Sequence, residues 1–258
     1  MNTQAICFVI VTYKPNGEAL RRMVQALACY QTIVVDNTAE VLSLPIKDAS
    51  VIHNNNNLGF AGGVNVGIRK ALKLDAQWIV VVNQDIDITH VAIENFCKKL
   101  VECQPGIAGP FAGRLDQKRW TTMLPALSGK IDYISGACIA IHKSVVTHIG
   151  LFYEPYFMYY EDVEYCIRAK NHGFPLTYLP NTGIDHRESV SLGRGSYLHT
   201  YYLSRNHLLF TERNAPVKIQ IHELLRFPKT IWEHIKQRDY GAVRGIRDYM
   251  FRRFGNLH

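Results

Sequence analysis

The sequence lacks any apolar run long enough to cross a bilayer as a helix, so no transmembrane helix is expected. It also lacks a Cys-x-x-Cys pair: its six cysteines are scattered, mostly in apolar or helix-like contexts, which predicts buried free thiols in a reducing cytosol. The strand-like segment 5–11 is preceded by neither a basic region nor a cleavage site, so no secretory signal is expected. These absences predict a protein that stays in the cytoplasm.

Repeats, low-complexity tracts and clear linkers are absent too, and only 20% of the 258 residues are charged. With 47% hydrophobic residues, the chain can bury a sizeable core as one α/β domain with an appendage. Lysine and arginine exceed aspartate and glutamate by 29 − 22 = 7. This basic balance suits nucleotides, phospholipid surfaces or nucleic acid as partners, without choosing among them.

The first half alternates short β-branched runs with helical patterns, and four strands are predicted at 6–11, 33–36, 51–52 and 78–82. Such alternation predicts a mainly parallel sheet with helices on both faces. Ligands of these sheets bind beyond the carboxyl ends of the strands. Polar clusters follow four strand ends, at 12–13, 36–37, 54–57 and 83–85.

The second half is less regular. Strands are predicted at 139–141 and 174–179, and a helix over 162–170. Beyond that helix the chain turns helical, basic and aromatic, which predicts one compact domain over 1–195 and a C-terminal helical extension over 196–258.

Two acids, Asp85 and Asp87, follow the buried strand at 78–82. Two carboxylates on one side of an extended turn can hold a hard divalent cation that also binds diphosphate oxygens. Alternatively, both aspartates cap the next helix. His186 ends another strand-like stretch, and its imidazole would be a good additional ligand near such acids, although a lone histidine is more often structural.

Asparagine and glycine dominate the segment 54–65, which is neither a Walker loop nor a G-x-G-x-x-G fingerprint. Gly59, Gly62 and Gly63 would let the backbone approach a ligand closely, and a helix starting there would favour a diphosphate. A long Asn/Gly turn is the alternative, but ligand contact is favoured.

Three acids, Glu161, Asp162 and Glu164, stand among aromatic residues at a predicted helix start. A carboxylate held among aromatic rings would have a raised pKa and could act as a general base. Equally, the acids could stabilise the helix dipole, with Arg168 as an intrahelical partner. The residues themselves leave both interpretations open.

Taken in order, these segments resemble the inverting glycosyltransferases of family 2, which have the GT-A fold, and within them the rhamnosyltransferase-like branch. The resemblance runs from Phe8 to about Gly255. It rests on six motifs: Val11-Thr-Tyr13, Val35-Asp-Asn37, Asn57-x-Gly-x-x-Gly-Gly63, Asn83-Gln-Asp85, Glu161-Asp162 and Gly245-Ile-Arg-Asp248.

The resemblance implies a nucleotide-sugar half at about 1–110 and an acceptor half at about 111–195. It implies that the nucleotide-sugar is bound by Thr12, Tyr13, Asp36, Asn57, Gly59, Gly63, Asn83, Gln84 and Asp85. The implied ligands of Mg²⁺ or Mn²⁺ are Asp85, His186 and Asp87, and the catalytic base is Asp162, beside Glu161. The acceptor is expected at Ser135, Gly136, Tyr160 and Arg187. Asn83 departs from the pattern, because many relatives have aspartate there.

The implied reaction is a single displacement in which Asp162 takes the proton of an acceptor hydroxyl while the cation helps the nucleoside diphosphate leave. The favoured donor is dTDP-rhamnose, with UDP-galactofuranose or another UDP-sugar next. The implied acceptor is a growing, lipid-linked polysaccharide of the cell envelope, such as an O-antigen.

An apolar stripe at helical spacing runs through the extension: Ile221, Leu224, Leu225, Trp232 and Ile235. Pro228 should kink or divide this helix. The stripe and its basic neighbours either dock on anionic lipid or pack on the domain with a solvated basic face. Docking at the inner face of the plasma membrane is favoured, because lipid-linked acceptors are common among the relatives.

Two further functions were weighed against these motifs. A nucleotidyltransferase should carry a basic, glycine-rich phosphate loop near its N-terminus, but the segment 12–17 has one glycine. A non-enzymatic basic module for nucleic acid or membranes would leave the acidic and Asn/Gly clusters unexplained. No recognised nucleic-acid motif appears, so no nucleic-acid partner is expected.

Overall fold

The structure, a computed structural model, describes residues 5–39, 46, 48–116, 118–123, 130–186 and 195–257, and of His186 only the backbone. The strands are β1 (Ile6–Thr12), β2 (Gln31–Asp36), β3 (Ser50–His53), β4 (Trp78–Asn83), β5 (Ile86–Asp87), β6 (Ile107–Gly109), β7 (Ala112–Leu115), β8 (Thr122–Met123), β9 (Tyr133–Ile134), β10 (Cys138–His142), β11 (Leu176–Tyr178) and β12 (Asp185–His186). The helices are α1 (Gly17–Ala26), α2 (Gly59–Lys73), α3 (His90–Leu100), α4 (Lys143–Ile149), α5 (Glu161–Asn171), α6 (Tyr197–Asn214), α7 (Val217–Lys236) and α8 (Tyr240–Met250).

Seven strands form the central sheet in the order β11-β6-β10-β4-β1-β2-β3. Only β10 runs antiparallel to its neighbours, so the predicted mainly parallel α/β sheet is confirmed. From β1 the chain goes to β2 and β3 on one side and then returns to β4 on the other. This reversal opens a crevice at the carboxyl ends of β1 and β4, where such sheets bind ligands.

Both faces of the sheet are buried, because alternate residues of each central strand point to opposite cores. Val9 and Val81 pack in the core that contains α2, whereas Ile10 and Val82 pack in the core under α1 and α3. Each fully buried aliphatic side chain contributes about 1.5–3 kcal/mol of transfer free energy, so the strand ends are held on a rigid base. All six cysteines are free thiols, and Cys29 is the exposed one.

The helix starts show which polar residues are used as caps. The Asn16 side chain accepts from the amides of Glu18 and Ala19 at the start of α1, and Thr89 accepts from Ala92 at the start of α3. Thr89 therefore fills the capping position that the sequence had offered to Asp85 and Asp87. The capping alternative for these two aspartates is wrong.

Helices α6 and α8 pack closely because glycines remove the side chains between them. A Cβ atom at Gly241 or Gly245 would overlap α6 backbone at Tyr197 and Tyr201. The carboxylate of Asp248 accepts a 3.0 Å hydrogen bond from the Tyr201 hydroxyl. The C-terminal Gly-x-x-Asp motif thus holds α8 on α6.

Helix α7 is continuous from Val217 to Lys236, so the expectation that Pro228 divides it is wrong. None of its residues is buried, and at the surface water can replace the hydrogen bond that proline removes. The alternative in which its apolar stripe packs on the domain is also wrong. Leu224 and Leu225 are 72% and 76% exposed. No described helix is both long and apolar enough for a membrane crossing.

Candidate active site

The wall of the crevice at β1 and β2 is built around the buried carboxylate of Asp36. Its Oδ1 atom accepts from the Thr12 hydroxyl at 3.1 Å and from the Thr38 amide and hydroxyl at 3.0 and 2.7 Å. Its Oδ2 atom lies 3.3 Å from the Nδ1 atom of His53. Asp36 therefore fixes Thr12 and Thr38 at the two strand ends. Through these two residues it can position a nucleoside. Direct contact with a ligand stays a prediction.

Tyr13 is fixed by its backbone and leaves its ring 44% exposed at the crevice. The Gln84 side chain accepts from the Tyr13 amide at 2.9 Å and donates to the Tyr13 carbonyl at 3.2 Å. This double contact joins the ends of β1 and β4. An exposed ring on a fixed backbone can stack on a nucleobase, as predicted for this residue.

Asparagines brace the loop that leads into α2. The Asn37 amide donates to the Gly59 carbonyl at 2.8 Å, the Asn54 amide donates to Asn37 at 2.9 Å, and Asn57 accepts from the Gly59 amide at 2.9 Å. Asn54 and Asn57 of the asparagine run therefore shape this loop through hydrogen bonds within the protein.

The glycines of this loop are packed closely against protein atoms. A Cβ atom at Gly59, where φ is +71°, would overlap the carbonyl of Phe157. At Gly63 it would lie 2.6 Å from the Val11 side chain and 3.0 Å from the Asn37 amide. Protein atoms fill the space beside both glycines, so close packing explains why no side chain fits there. Their contact with a ligand stays untested.

The acidic motif after β4 is brought beside His186 by backbone pairing. Strand β12 runs antiparallel to β5, with Asp185 opposite Asp87 and His186 opposite Ile86. Both carboxylate oxygens of Asp85 are shielded from water, whereas Asp87 is exposed. Within the described side chains, no three histidine, cysteine or acidic groups converge as a metal cluster. The His186 side chain lies outside the described residues.

Asp162 is held at the start of α5 by two backbone amides. Its Oδ2 atom accepts from Gly136 at 2.7 Å and its Oδ1 atom accepts from Val163 at 2.8 Å. Burial raises the pKa of Asp162 above its ordinary value, although both hydrogen bonds oppose the rise. A partly buried carboxylate with a raised pKa and a fixed orientation has the properties of a general base.

The three acids of α5 have different surroundings. Burial, followed by the charge of Asp162, raises the pKa of Glu161 well above its ordinary value. Within the described part of the chain, the Glu161 Oε2 atom has no hydrogen-bond partner. Glu164 instead forms the predicted intrahelical pair, accepting from Arg168 at 2.9 and 3.0 Å. The helix-partner interpretation is therefore correct for Glu164, while Asp162 points to the loop before β10.

The charges of both acidic motifs act on Tyr159. Burial chiefly, and then the negative charges of Glu161 and Asp85, raise the pKa of Tyr159 to about 12. The pKa of this half-buried residue therefore depends on carboxylates of both motifs, the one that follows β4 and the one that begins α5. The sequence placed these acids more than 70 residues apart, and the fold brings them together.

The residues predicted to bind the acceptor differ in their positions relative to Asp162 and in their burial. Ser135 and Gly136 lie in the loop that contacts Asp162, and a Cβ atom at Gly136 would lie 3.4 Å from the Asp162 Oδ2 atom. The Tyr160 ring is buried, 5.3 Å from the Phe210 ring, so acceptor contact would require this packing to open. Arg187 lies outside the described residues.

Sequence reasoning missed two residues of α6 that reach this region. Arg205 and Asn206 are fully buried and donate to backbone carbonyls of 155–159, just before the acids of α5. The only signal available was two adjacent polar residues inside an aromatic helical segment. That pattern alone does not distinguish such contacts from a solvated face.

Comparisons with known proteins agree with this architecture. No family model matches the sequence. The chain is 27% identical to the low-salt glycan biosynthesis hexosyltransferase of Haloferax volcanii, over 94% of the chain and 91% of that protein. It is 26% identical to the dTDP-rhamnosyl transferase RfbF of Shigella flexneri, over 93% of the chain and 94% of that protein.

Solved structures show the same fold. The mannosyltransferase of Pyrobaculum calidifontis, in complex with GDP-Man and Mn²⁺, has a TM-score of 0.55 at 12% identity, covering 96% of this chain and 74% of that one. The TarS 1–349 structure of S. aureus with UDP-GlcNAc has a TM-score of 0.56 at 14% identity, covering 95% and 80%.

These findings confirm the resemblance to GT-A glycosyltransferases and to their rhamnosyltransferase-like branch. The chain is an enzyme of the transferase class, a glycosyltransferase. The non-enzymatic binding module is therefore wrong as an account of this protein.

Proposed function

We propose that this glycosyltransferase moves rhamnose from dTDP-rhamnose to a hydroxyl of a lipid-linked glycan in one inverting displacement, with Asp162 as the general base. The observation that carries the proposal is the fixed carboxylate of Asp162, whose Oδ2 atom accepts from the Gly136 amide at 2.7 Å in a loop that also accepts from the end of β4, just before Asp85. A base and a second acidic motif at one crevice are what a displacement at a nucleotide-sugar needs.

In the proposed reaction, the acceptor oxygen forms a bond to the anomeric carbon as Asp162 takes its proton. The bond from that carbon to the diphosphate oxygen breaks, and its electron pair leaves with the nucleoside diphosphate. Attack from the face opposite to the leaving group inverts the configuration. The raised pKa of Asp162 makes its carboxylate a stronger base than an ordinary aspartate.

The backbone amides of Gly136 and Val163 prepare Asp162 for this role. Each amide occupies one lone pair of one carboxylate oxygen, so each oxygen keeps a second lone pair for a proton. Because the pKa of Glu161 is raised well above normal, the pair favours a protonated Glu161 beside an ionised Asp162. Glu161 then adds little negative charge against the leaving diphosphate.

Asp85 and His186 fit a divalent cation such as Mn²⁺ or Mg²⁺. Carboxylate oxygen and imidazole nitrogen are suitable ligands, and the pairing of β5 with β12 brings the two residues' backbones together. Asp87, which is exposed, would be an additional ligand. When bound, the cation would stabilise the negative charge of the departing diphosphate. The Mn²⁺ bound by the P. calidifontis mannosyltransferase supports this assignment.

The choice of dTDP-rhamnose is supported by the Shigella relative, which is named as a dTDP-rhamnosyl transferase. A Mycobacterium tuberculosis L-rhamnosyltransferase named for a decaprenol-linked acceptor is 32% identical over 36% of the chain. This match supports a lipid-linked acceptor. Because TarS binds UDP-GlcNAc, UDP-sugars form the comparison arm of the test.

The exposed face of α7 supports a further part of the proposal, docking at the cytoplasmic face of a membrane. Its apolar side chains include Trp232, 59% exposed, and its exposed basic residues include Lys229 and Lys236. An exposed apolar stripe with adjacent cations suits the interface of an anionic bilayer, where a lipid-linked acceptor would lie.

Thermal stabilisation by nucleotides tests the donor assignment without any acceptor. The panel is dTDP-rhamnose, dTDP, UDP, UDP-GlcNAc and GDP, each with and without Mn²⁺, because selective binding raises the melting temperature by mass action. We expect Mn²⁺-dependent stabilisation by dTDP ligands and little by GDP. Stabilisation by UDP ligands alone would show that the donor is a UDP-sugar and not dTDP-rhamnose. No stabilisation by any nucleotide would refute the proposed function.

A further inference from the structure

The turn just before α5, which leads to the proposed base Asp162, has a strained backbone. Three of the four residues before Glu161 have positive φ angles without being glycine: Phe157 at 67°, Tyr159 at 66° and Tyr160 at 72°. Each such residue costs about 1–3 kcal/mol, and such conformations persist only where surrounding structure holds them. Other parts of the chain must therefore hold this turn, the segment 156–160.

On one side, the turn contacts the segment 54–63 at the start of α2, here called the donor loop after its proposed role. The Phe157 carbonyl accepts from the Ala61 amide at 3.2 Å, and the Phe157 ring lies against Gly59. On its other end, the Tyr160 carbonyl accepts from the Glu164 amide at 2.9 Å in the first turn of α5. The turn thus joins the start of α2 to the start of α5, where Asp162 lies.

The remaining carbonyls of the turn are held by Asn206 of α6. Its side-chain nitrogen lies 2.8, 2.6 and 3.0 Å from the carbonyl oxygens of Tyr156, Met158 and Tyr159. The two hydrogens of this side-chain amide are shared among three carbonyl oxygens. The contact therefore depends on the length of the side chain and on its NH₂ group. An aspartate of the same shape would present an oxygen to those carbonyls.

Arg205 orients the amide and extends the contact. Its Nε atom donates to the Asn206 side-chain oxygen at 2.9 Å, and its guanidinium donates to the carbonyls of Tyr156 at 2.8 Å and Gly255 at 2.7 Å. Among described residues, no carboxylate lies within ion-pair distance of this fully buried cation. The guanidinium also lies over the rings of Tyr201 and Tyr202, 5.4 and 4.9 Å from their centroids, so carbonyls and aromatic rings compensate its buried charge.

We propose that Arg205 and Asn206 are positioning residues, which hold the strained turn so that Asp162 faces the donor loop. This inference rests on the proposed function for the role of Asp162. The two residues act through the turn and touch neither donor nor acceptor. Their loss should therefore lower kcat while leaving the affinity for the nucleotide nearly unchanged.

The test compares Asn206→Asp and the milder Asn206→Ser with a matched control, Asn214→Asp. Asn214 lies on the same helix, but its amide donates to the Phe210 carbonyl of α6 itself. One readout is the hydrogen exchange of the amides of Phe157, Met158 and Glu164, which donate to carbonyls within or beside the turn. The other is kcat and KM for turnover of the donor that stabilises the protein.

We expect these amides to exchange about tenfold faster in Asn206→Asp, with α8 unchanged, and Asn206→Ser to lie between wild type and Asn206→Asp. We expect kcat to fall at least about tenfold while KM for the donor stays within about twofold. The Asn214 variant should match wild type in both readouts.

Unchanged exchange in the turn would overturn the inference, and so would an equal loss of kcat in the Asn214 variant. If Asn206→Asp does not fold, Asn206→Ser decides by the same readouts. If wild type turns over no donor, the proposed function fails, while the exchange measurement still decides whether Asn206 holds the turn.

Discussion

The Gly136 amide donates a 2.7 Å hydrogen bond to the Asp162 Oδ2 atom, which joins the loop before β10 to the first turn of α5. The same loop accepts from the end of β4, where the Asn83 amide donates to the Ala137 carbonyl at 2.9 Å. Asp162 is thereby connected through backbone to β4, the strand that precedes Asp85. Hydrogen bonds to backbone groups therefore join Asp162, the loop before β10 and the end of β4.

Glu161 and Glu164 should respond in opposite directions to replacement by glutamine. Glu161 has a folded-state pKa raised well above 4.5, so its contribution to stability is present below about pH 4.5 and is lost as pH rises. Glu161→Gln should raise the free energy of unfolding at pH 7, with a gain that grows as pH rises above about 4.5.

Glu164→Gln is the matched comparison, because it removes one partner of a buried pair with Arg168. It should lower the free energy of unfolding by about 3 kcal/mol. Urea unfolding of both variants between pH 5 and pH 8 measures these changes. A loss of stability in Glu161→Gln at pH 7 would show that its carboxylate is stabilising and that the predicted direction is wrong.

Asp85→Asn should abolish the Mn²⁺-dependent part of nucleotide binding, because it removes a charged ligand from the proposed cation site. Isothermal titration of dTDP with and without Mn²⁺ measures this effect. Asp87→Asn should weaken the Mn²⁺ response less, since Asp87 is exposed.

Thr89→Ala is the control for helix α3. It should cost about 1 kcal/mol of stability through the lost cap and leave the Mn²⁺ response intact. A full Mn²⁺ response in Asp85→Asn would remove Asp85 from the metal site.

Replacing Leu224 and Leu225 together by glutamate should abolish binding to anionic vesicles without destabilising the fold, because both side chains are exposed. Flotation with phosphatidylglycerol vesicles, compared with phosphatidylcholine vesicles, measures it. Wild-type binding should weaken with added salt, because part of the attraction is electrostatic.

The control for this surface is Val91→Glu, at a residue of α3 that is 64% exposed. It should bind vesicles as wild type does. Equal binding by wild type and the Leu224/Leu225 double variant would contradict docking through α7.

Much of the fold was predictable because the local pattern and the tertiary structure agree. The buried strand 78–82 became β4 (Trp78–Asn83), and the helix predicted over 162–170 became α5 (Glu161–Asn171). The antiparallel insertion of β10 had no local signal, since a short apolar run does not reveal its direction.

The role of a site residue was easier to predict where its residue type fits only one role. It was harder to predict where a neighbouring residue can fill the same role. Asp85 had two possible roles until Thr89 was seen to cap α3. Gly59 and Gly63 were predicted to contact a ligand. A side chain is also excluded at these positions because Phe157 lies against Gly59 and Val11 lies against Gly63. Asn206 gave no signal, because its partners are backbone carbonyls about 50 residues away.

The most direct test of the central claim is the rate of dTDP-rhamnose turnover by Asp162→Asn compared with wild type and with Asp75→Asn. Asp75 is a matched control, because its side chain is 90% exposed and pairs only with Lys143 among described residues. We expect Asp162→Asn to keep its affinity for dTDP and to lose about 10²–10⁴-fold in kcat, while Asp75→Asn matches wild type. Near-normal turnover by Asp162→Asn would contradict the assignment of Asp162 as the base.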